Sequence, residues 1–544
     1  MTPSARQVAT LQMLLLGGLY PFGFAPFNFW PLSLLSLMAL VYGLIKQLEA
    51  GPTPSEDKTT SLGSGWRALL RFSTPTQQTS LFKIVFSWSI GAFAVGVSWV
   101  YVSIHNYGHA NVLLALLITA LFVLLLASVK AACFYLLQGL VSWFGKGRVL
   151  LIIPFVWIIS ELVQSKLFSG FPWLFAGYTQ LDGPLSVVST WIGVYGVGWS
   201  LLVIACLFVI LGIQFFQVKS EAYWRSLILP VALISLIMPV TAWLLPLQQH
   251  QVDSKALKIA LVQPNISQND KWDRAHFSRI MDILYAQSQH HWKADLLVWP
   301  EGAIPAYRHQ VKDIIVDLKQ RARANQSHIL LGLPVYDFAT KTSYSAMIGL
   351  GGQTQEYHKQ VLVPFGEYVP LGGLLRGVIE FFNLPMSSFS PATSPQKAIE
   401  FEGFTVIPAI CYEITYPKIV QNLVHQADEL SDKPKLIVTI SNDAWFGSSF
   451  GPDQHLQMAR MRALELGLPL VRATNDGISA VVDAKGKLLQ RLPKNQQATL
   501  EYTLALDYYQ TPYRRYGLWG IAFILLASIC FLLLHRLALG REQV

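Results

Sequence analysis

Charge is what this sequence has least of. Asp, Glu, Lys and Arg make up only 13% of its 544 residues, against about a quarter in soluble globular proteins. Hydrophobic residues reach 52% and mean hydropathy is +0.40, which excludes an ordinary soluble enzyme and indicates an integral membrane protein. Cysteine is scarce too: of Cys133, Cys206, Cys411 and Cys530, three sit in long apolar segments, so no disulfide framework is expected. Only Cys411 lies in polar, foldable sequence. No His/Cys/Asp cluster has metal-ligand spacing, and neither a phosphate loop nor a dinucleotide fingerprint is present. The reading is therefore no metal and no cofactor. The net charge of +9 comes from residues scattered through short loops, without a basic stripe, zinc-finger spacing or an aromatic RNA-binding motif. Nucleic acid is not an expected partner; the lipid bilayer is.

What is present is a series of apolar runs near the roughly 20 residues a spanning helix needs. Eight candidates cover approximately 8–24, 28–45, 82–102, 111–140, 149–165, 188–215, 226–246 and 517–535. Pro21 and Pro26 make the first pair a tight hairpin, and no small-residue cleavage site follows the first run, so it reads as a retained anchor. Lys46, Lys58, Arg67, Arg71, Lys146, Arg148, Lys219, Arg225, Arg536 and Arg541 fall on one side of these spans, whereas the intervening loops hold only Lys166. By the positive-inside rule both termini are cytoplasmic and the segment from about 255 to 510 lies outside the cytoplasm. In a bacterium that compartment is the periplasm. The expected organisation is a transmembrane domain over 1–250, a catalytic domain over 255–510 and an eighth transmembrane helix over 515–537, with Gly51–Ser64 as a cytoplasmic loop.

Within 255–510 charge returns and short β-rich runs alternate with helical patterns. Strand candidates are Leu257–Val262, Asp295–Trp299, His328–Leu333, Ser345–Leu350, Phe404–Ile410, Leu436–Ser441, Leu468–Ala473 and Ser479–Asp483. Helical periodicity is clearest at Val311, Ile314, Ile315 and Leu318 and across Gln454–Leu466, which together suggest one layered α/β domain. Gly349 to Gly352 read as a hairpin turn. The segment 371–384 places Leu374, Leu375, Val378, Ile379 and Phe382 near one helical face; that face either packs in the core or lies on the membrane beside the site.

Three residues follow such runs as isolated ionisable groups: Glu301, Lys359 and Cys411. A cysteine nucleophile needs a base and a group that holds the oxyanion, and Glu301 and Lys359 supply those two chemistries. Singly, each has an ordinary structural reading: a helix-start carboxylate, a solvated strand end, a small buried hydrophobe. Their joint occurrence with the flanking motifs favours the catalytic one. His309, His358 and His455 have no context that pairs them with the thiol. In the spans, Glu161 either lines a polar cleft for a lipid headgroup or pairs with another helix, and Lys130 is expected to snorkel to the cytoplasmic face.

Val298-Trp299-Pro300-Glu301, Tyr357-His358-Lys359 with Val363-Pro364-Phe365-Gly366-Glu367-Tyr368, and Ile410-Cys411-Tyr412-Glu413 resemble the Glu-Lys-Cys motifs of the nitrilase, or carbon-nitrogen hydrolase, superfamily. With seven spans before the domain and one after it, the chain is similar to the apolipoprotein N-acyltransferases. Further matches are Gln263-Pro264-Asn265, Trp272, Ser441 to Gly447, Arg472 to Asn475, Gly170 to Trp173 and Gly177-Tyr178. The resemblance implies a multi-span α-helical membrane domain of eight transmembrane helices plus an α/β, nitrilase-like αββα sandwich in the periplasm, anchored in the bacterial inner membrane. It also implies a reaction: Cys411 takes the sn-1 acyl chain of a phospholipid, typically phosphatidylethanolamine, as a thioester and passes it to the α-amine of the diacylglyceryl-cysteine of an apolipoprotein. Glu301 is then the base, Lys359 the oxyanion partner, and Glu367, Glu413, Trp272 and Tyr412 are supporting residues, Tyr412 through its backbone amide. Trp445 and Phe446, like Leu374, Leu375 and Phe382, read either as membrane-dipping gates or as packing, and Glu161 as a possible substrate contact. The competing readings are a membrane-tethered amidase or nitrilase that gives the acyl group to water, and a transporter with a ligand-binding module, which the lack of paired charges in the spans disfavours.

Overall fold

The computed structural model describes residues 3–49, 75–108, 110–144, 149–216, 249–250, 256–364, 366–368 and 389–541. The candidate span 226–246, the loop 51–64 and the amphipathic segment with Leu374, Leu375 and Phe382 lie outside the described residues. The chain divides into two compact units, one of Met1–Ser98, Leu116–Pro246 and Leu518–Val544, the other of Trp99–Ala115 and Leu247–Gly517.

The first unit is helical. It contains α1 (Pro3–Gly18), α2 (Trp30–Glu49), α3 (Pro75–Gly96), most of α4 (Val112–Phe144), α5 (Val149–Gln164), α6 (Ser189–Phe216) and a closing helix Trp519–Arg541. Helices thus stand where seven of the eight apolar runs were expected. By length and hydropathy, Trp30–Leu48, Val112–Val141 and Ser186–Phe215 are able to cross a membrane among the described residues, with a fourth if Ser80–Gly96 and Trp99–Tyr107 form one span. Leu113, Leu116, Leu117, Leu121, Leu125 and Leu136 all lie exposed on α4, an outward apolar face suited to lipid. Where α1 meets α3, Gly17 abuts the carbonyl of Trp88 and Gly91 that of Leu14, so neither position has room for a Cβ; small residues let apolar helices approach closely.

Two polar residues in this unit are buried. Lys130 does not snorkel: it is buried, with its ammonium 3.7 Å from the centre of the Trp157 ring and 3.3 Å from the Ser160 hydroxyl. Glu161 Oε1 accepts hydrogen bonds from Trp157 Nε1 and the Ala176 amide, both 2.8 Å, and so fixes the loop after α5. Burial without such partners would be costly in hydrocarbon.

The second unit is built on two six-stranded sheets. The first has β2 (Leu257–Gln263), β3 (Leu296–Val298), β4 (His328–Asp337), β5 (Thr342–Leu350), β6 (Thr354–His358) and β13 (Ala498–Leu504), in the order β13-β2-β3-β4-β5-β6. The second has β7 (Ile399–Glu400), β8 (Thr405–Ile410), β9 (Lys435–Ser441), β10 (Leu470–Thr474), β11 (Ala480–Val482) and β12 (Leu488–Arg491), in the order β12-β11-β10-β9-β8-β7. A two-residue ladder, β1 (Gln249–His250) with β14 (Tyr508–Tyr509), stands apart. The central trios β2-β3-β4 and β8-β9-β10 are parallel, as right-handed strand-helix-strand crossovers require. Helices α7 (Phe277–Ser288) and α8 (Lys312–Ala324) make those crossovers in the first sheet and α9 (Pro417–Leu430) and α10 (Gly451–Leu466) in the second. Leu297, Ile329 and Leu331 from the first sheet pack with Ile280, Leu284 and Leu318 from its helices. Between the sheets, Gln263 on β2 accepts hydrogen bonds from Thr474 Oγ1 and the Ser479 amide. The layers run helix, sheet, sheet, helix, and each parallel strand delivers the residue after it to one edge of its sheet.

Strand ends differ from the sequence reading by a few residues: β4 extends to Asp337 and β5 starts at Thr342. The Gly349–Gly352 turn does join the antiparallel pair β5-β6. In β4 a glycine is sterically required: a Cβ on Gly332 would stand 2.7 Å from Glu301 Cα, the Gly302 nitrogen and the Pro300 oxygen. Gly352, by contrast, faces open space. Gly332→Ala is expected to destabilise by about 1–3 kcal/mol through overpacking, and Gly352→Ala to be neutral. Thermal unfolding of the two variants side by side checks this, and equal midpoints would contradict it.

Candidate active site

Glu301 follows β3, Lys359 follows β6 and Cys411 follows β8, and the fold brings the three together from two different sheets. The centre is the Lys359 ammonium. It is 1% exposed and donates to Glu301 Oε1 at 2.9 Å and Glu367 Oε1 at 2.7 Å. Burial alone would lower the pKa of Lys359, but Glu301 and Glu367 outweigh it and hold the group charged, well above its ordinary value. The other carboxylate oxygens are tied down as well: Glu301 Oε2 accepts the Asn442 amide at 3.0 Å and Glu367 Oε2 the Val363 amide at 2.8 Å. Burial, with Glu301 nearby, pushes Glu367 up despite Lys359. An ammonium has three N–H donors; these two ion pairs use two of them, and Cys411 lies within electrostatic reach of the group.

Cys411 is 8% exposed and has φ of 52°, the left-handed region that a non-glycine residue enters at a cost on the order of 1 kcal/mol. It opens a 3₁₀ turn, Cys411–Thr415, between β8 and α9, and thus projects from a sharp elbow. Burial, then Glu301, raises the thiol pKa far above its ordinary value, with Lys359 and a hydrogen bond from Ser441 opposing. At rest the sulfur is a protonated thiol. A nucleophilic role for this sulfur would require a nearby base to take its proton.

Two networks fix the elbow. Glu413 is fully buried and accepts hydrogen bonds from the Ile410 amide at 2.7 Å, the Gln360 amide at 2.6 Å and the Tyr357 hydroxyl at 3.0 Å. It joins the residue after Lys359 to the residue before Cys411, which makes it a positioning residue. Burial raises its pKa to about 7, against those three hydrogen bonds and Lys359. On the other side, His455 Nε2 lies 3.1 Å from the Cys411 carbonyl, which only accepts, so this nitrogen carries the proton. Nδ1 lies 3.1 Å from Arg472 Nη2 and 3.2 Å from Asp443 Oδ1. Burial and Arg472 lower the His455 pKa and keep the ring neutral. Arg472 also donates to Asp443 Oδ2 at 2.6 Å; burial would raise the Asp443 pKa, but Arg472 outweighs it and holds the carboxyl well below the usual carboxylate range, so it stays ionised. Nothing local in the chain singles out His455; its relation to Cys411 exists only in space.

Cys411, Asp443 and His455 place potential ligand atoms within 4.8 Å of one another, a cluster that ligand spacing did not reveal. The Arg472 guanidinium already occupies Asp443 and His455 Nδ1, so these donors make an ion-pair network rather than an open coordination site.

Trp272 is half-buried and packs with Tyr368 and Trp445 against Leu362 and Phe389. Beside it, Lys271 donates to the Glu301 main-chain carbonyl at 2.8 Å; burial lowers its pKa to about 8 despite the nearby carboxylates. Tyr412 is buried against Tyr416, with ring centres 5.4 Å apart. The Trp445–Phe446 loop packs on the Trp99–Ala115 segment: Ser103 Oγ donates to the Trp445 carbonyl at 2.7 Å, Trp99 meets Phe446 edge-on at 4.7 Å, and Tyr107 meets Trp445 at 6.1 Å. The expected span 82–102 is broken here: α3 ends at Gly96, Trp99–Val102 is a further helical turn, and Ser103–Tyr107 form a π-helical turn after it. Glu161 belongs to the helical unit and is no part of this cluster.

Comparison with known proteins follows the division of the chain. A family described as carbon-nitrogen hydrolase matches residues 258–513, and one described as apolipoprotein N-acyltransferase N-terminal domain matches residues 16–207. Similar proteins include the apolipoprotein N-acyltransferase of Azotobacter vinelandii, 36% identical over 97% of this chain and 95% of the relative. That of Vibrio parahaemolyticus is 35% identical, covering 93% of each chain. That of Coxiella burnetii is 34% identical over 96% of this chain and 98% of its own. Among solved structures, an amidase from Nesterenkonia sp. is 19% identical, covers 47% of this chain and 94% of its own, and superposes with a TM-score of 0.34. Nit3 of Saccharomyces cerevisiae, a nitrilase-superfamily member, covers 46% of this chain and 91% of its own at 19% identity and a TM-score of 0.34.

The Glu413 anchor is testable. A Gln side chain offers only one acceptor oxygen and would turn an NH₂ toward at least one of three donors, so Glu413→Gln is expected to cost about 1–3 kcal/mol. The pH response has a definite sign: a carboxyl raised from 4.5 to about 7 stabilises the fold fully below 4.5 and loses that contribution as pH rises through 7. The variant should lack this slope. Thermal unfolding across that window measures both effects, and an unchanged midpoint with an unchanged slope would remove Glu413 from the anchoring role.

Proposed function

The chain belongs to the apolipoprotein N-acyltransferase family, and from that membership we propose how its own residues carry out lipoprotein N-acylation. The observation that supports the reading most directly is the Lys359 ammonium, held between Glu301 and Glu367 with one donor left beside the Cys411 thiol.

In the first half-reaction Glu301 takes the thiol proton as Cys411 Sγ attacks the sn-1 ester carbon of a phospholipid such as phosphatidylethanolamine. The oxyanion is met by the free N–H of Lys359 and by the Tyr412 amide that follows the nucleophile. Collapse breaks the ester C–O bond, Glu301 returns the proton to the leaving alkoxide, and lysophospholipid departs. In the second half-reaction the α-amine of a diacylglyceryl-cysteine attacks the thioester carbon, Glu301 takes a proton from nitrogen, the C–S bond breaks and sulfur is reprotonated. An amide and free Cys411 result. Glu367 and Glu413 hold Lys359 and the elbow; Trp272, Trp445 and Phe446 line the approach with apolar surface, and Leu374, Leu375 and Phe382 extend it as a gate. Glu161 serves the helical unit, where a lipid headgroup is its candidate contact.

The compartment follows from the charges. With basic residues on one side of the apolar runs, we assign eight spans, cytoplasmic termini and a periplasmic catalytic domain over 255–510 in the bacterial inner membrane. Both substrates carry acyl chains that cost about 0.8 kcal/mol per CH₂ to expose, so the site opens to the bilayer.

Purified protein, incubated with phosphatidylethanolamine vesicles, should gain one acyl mass on Cys411 and pass it to a diacylated lipopeptide. Cys411→Ala should do neither, and Glu301→Gln should slow adduct formation by about 10²-fold or more. Release of free fatty acid with no acylated peptide would favour the hydrolase reading; an adduct on Cys411→Ala would overturn the mechanism.

A further inference from the structure

One carboxyl at the site has no task in this mechanism. Asp476 follows β10, at the same edge that carries Glu301, Cys411 and Asn442, and it lies within electrostatic reach of Lys271, Asp443 and Tyr107. Its main chain is pinned: the Asn495 amide donates to its carbonyl at 2.8 Å, and the preceding Asn475 is clamped through both its amide nitrogen and oxygen to Ile266. The carboxylate is thus held in place, yet its Oδ1 is buried and accepts no hydrogen bond from the described residues. A buried carboxylate oxygen in a fixed loop calls for a donor.

The cations nearby are already engaged. Arg472 is committed to Asp443, Lys359 to Glu301 and Glu367, and Lys271 donates to the Glu301 carbonyl. Burial, then Asp443, raises the Asp476 pKa to about 7, with Lys271 opposing, so a further cation beside it favours its ionised form. Tyr107, beside Asp476, stands edge-on to Trp445 with their rings inclined at 67°, and aromatic faces next to a carboxylate favour an organic cation over a hydrated metal ion.

We propose that Asp476, with the Tyr107 and Trp445 rings, forms a binding site for a primary ammonium, which donates to the unpaired Oδ1. The inference rests on the acyl-transfer reading, because that reaction brings two such groups: the ethanolamine headgroup of the donor and the α-ammonium of the acceptor. The chemistry recognised is the same, and the two half-reactions separate the sources.

The test uses the full chain with Asp476→Asn and Asp476→Glu. In the donor arm, acyl-adduct formation on Cys411 is followed from phosphatidylethanolamine and from phosphatidylglycerol. In the acceptor arm, the pre-acylated enzyme is mixed with a diacylated lipopeptide. Asp476→Asn is expected to slow one arm by at least about tenfold, with Asp476→Glu retaining most of the rate. Loss confined to phosphatidylethanolamine assigns the headgroup; a thioester that accumulates with either donor assigns the acceptor ammonium. Rates within about twofold of the parent in both arms overturn the proposal. Should the Asn variant unfold, the unsubstituted protein decides: n-butylammonium should inhibit competitively where 1-butanol does not, and equal inhibition by the two overturns it. Absence of any adduct on the unsubstituted protein is a separate outcome, which removes the thioester mechanism itself.

Discussion

The buried Lys359 ammonium between two carboxylates is the interaction on which the rest of the catalytic unit depends. An ammonium that is 1% exposed survives only with partners that match its charge and its donors. Glu301 comes from the end of β3, Glu367 from the loop eight residues beyond Lys359. To keep both within 3 Å of one nitrogen, that loop must fold back over the end of the first sheet. Removing any member would leave uncompensated charge in a dry place, so the triad organises its surroundings as well as any chemistry it performs.

The second sheet is coupled to this triad through backbone groups. Asn442, after β9, gives its amide to Glu301, while Glu413 spans from the Lys359 loop to the strand that ends in Cys411. From the far side, the Asp443–Arg472–His455 network ends on the Cys411 carbonyl. The elbow's left-handed φ is thus opposed from both flanks, which is how strain at a reactive residue persists in a folded chain. Parallel strands in both sheets make this possible, because each delivers its following loop to one edge.

Much of this was legible in the sequence, for a physical reason: buried parallel strands are nearly continuous apolar runs, so β2, β8 and β9 stood out and the polar residues after them were conspicuous. Strands with one exposed face did not. Thr354–His358 and Ala498–Leu504 mix polar and apolar residues, and β12 is almost wholly exposed. Helices α7 and α9 bury only narrow stripes, Ile280–Met281–Leu284 and Val420–Leu423–Val424–Ala427, and escaped periodicity. Side-chain networks were beyond reach. Asp443 and Arg472 are 29 residues apart and His455 and Arg472 are 17, with no local pattern relating them. The break near residue 97 was hidden for a different reason: apolar composition continues through it, although the chain leaves one compact unit for the other.

In the proposed reaction, the charge around Cys411 also bears on why an acyl group would be carried rather than lost. Burial and the neighbouring Glu301 disfavour a thiolate here, even with Lys359 close by. A thioester is neutral and escapes that penalty, so acylation relieves the electrostatic conflict that the free thiolate would suffer. Breaking the C–S bond recreates sulfur's negative charge unless a proton arrives with it. An amine nucleophile yields its proton to Glu301 as it attacks, and Glu301 adjoins the sulfur, so aminolysis carries its own means of neutralising the leaving group. Water has the same proton to give but no acyl chains to draw it into an apolar approach lined by Trp272, Tyr368 and Trp445. Selectivity for transfer over hydrolysis then rests on which nucleophile is concentrated at the thioester, a property of the site's surroundings more than of the three catalytic groups.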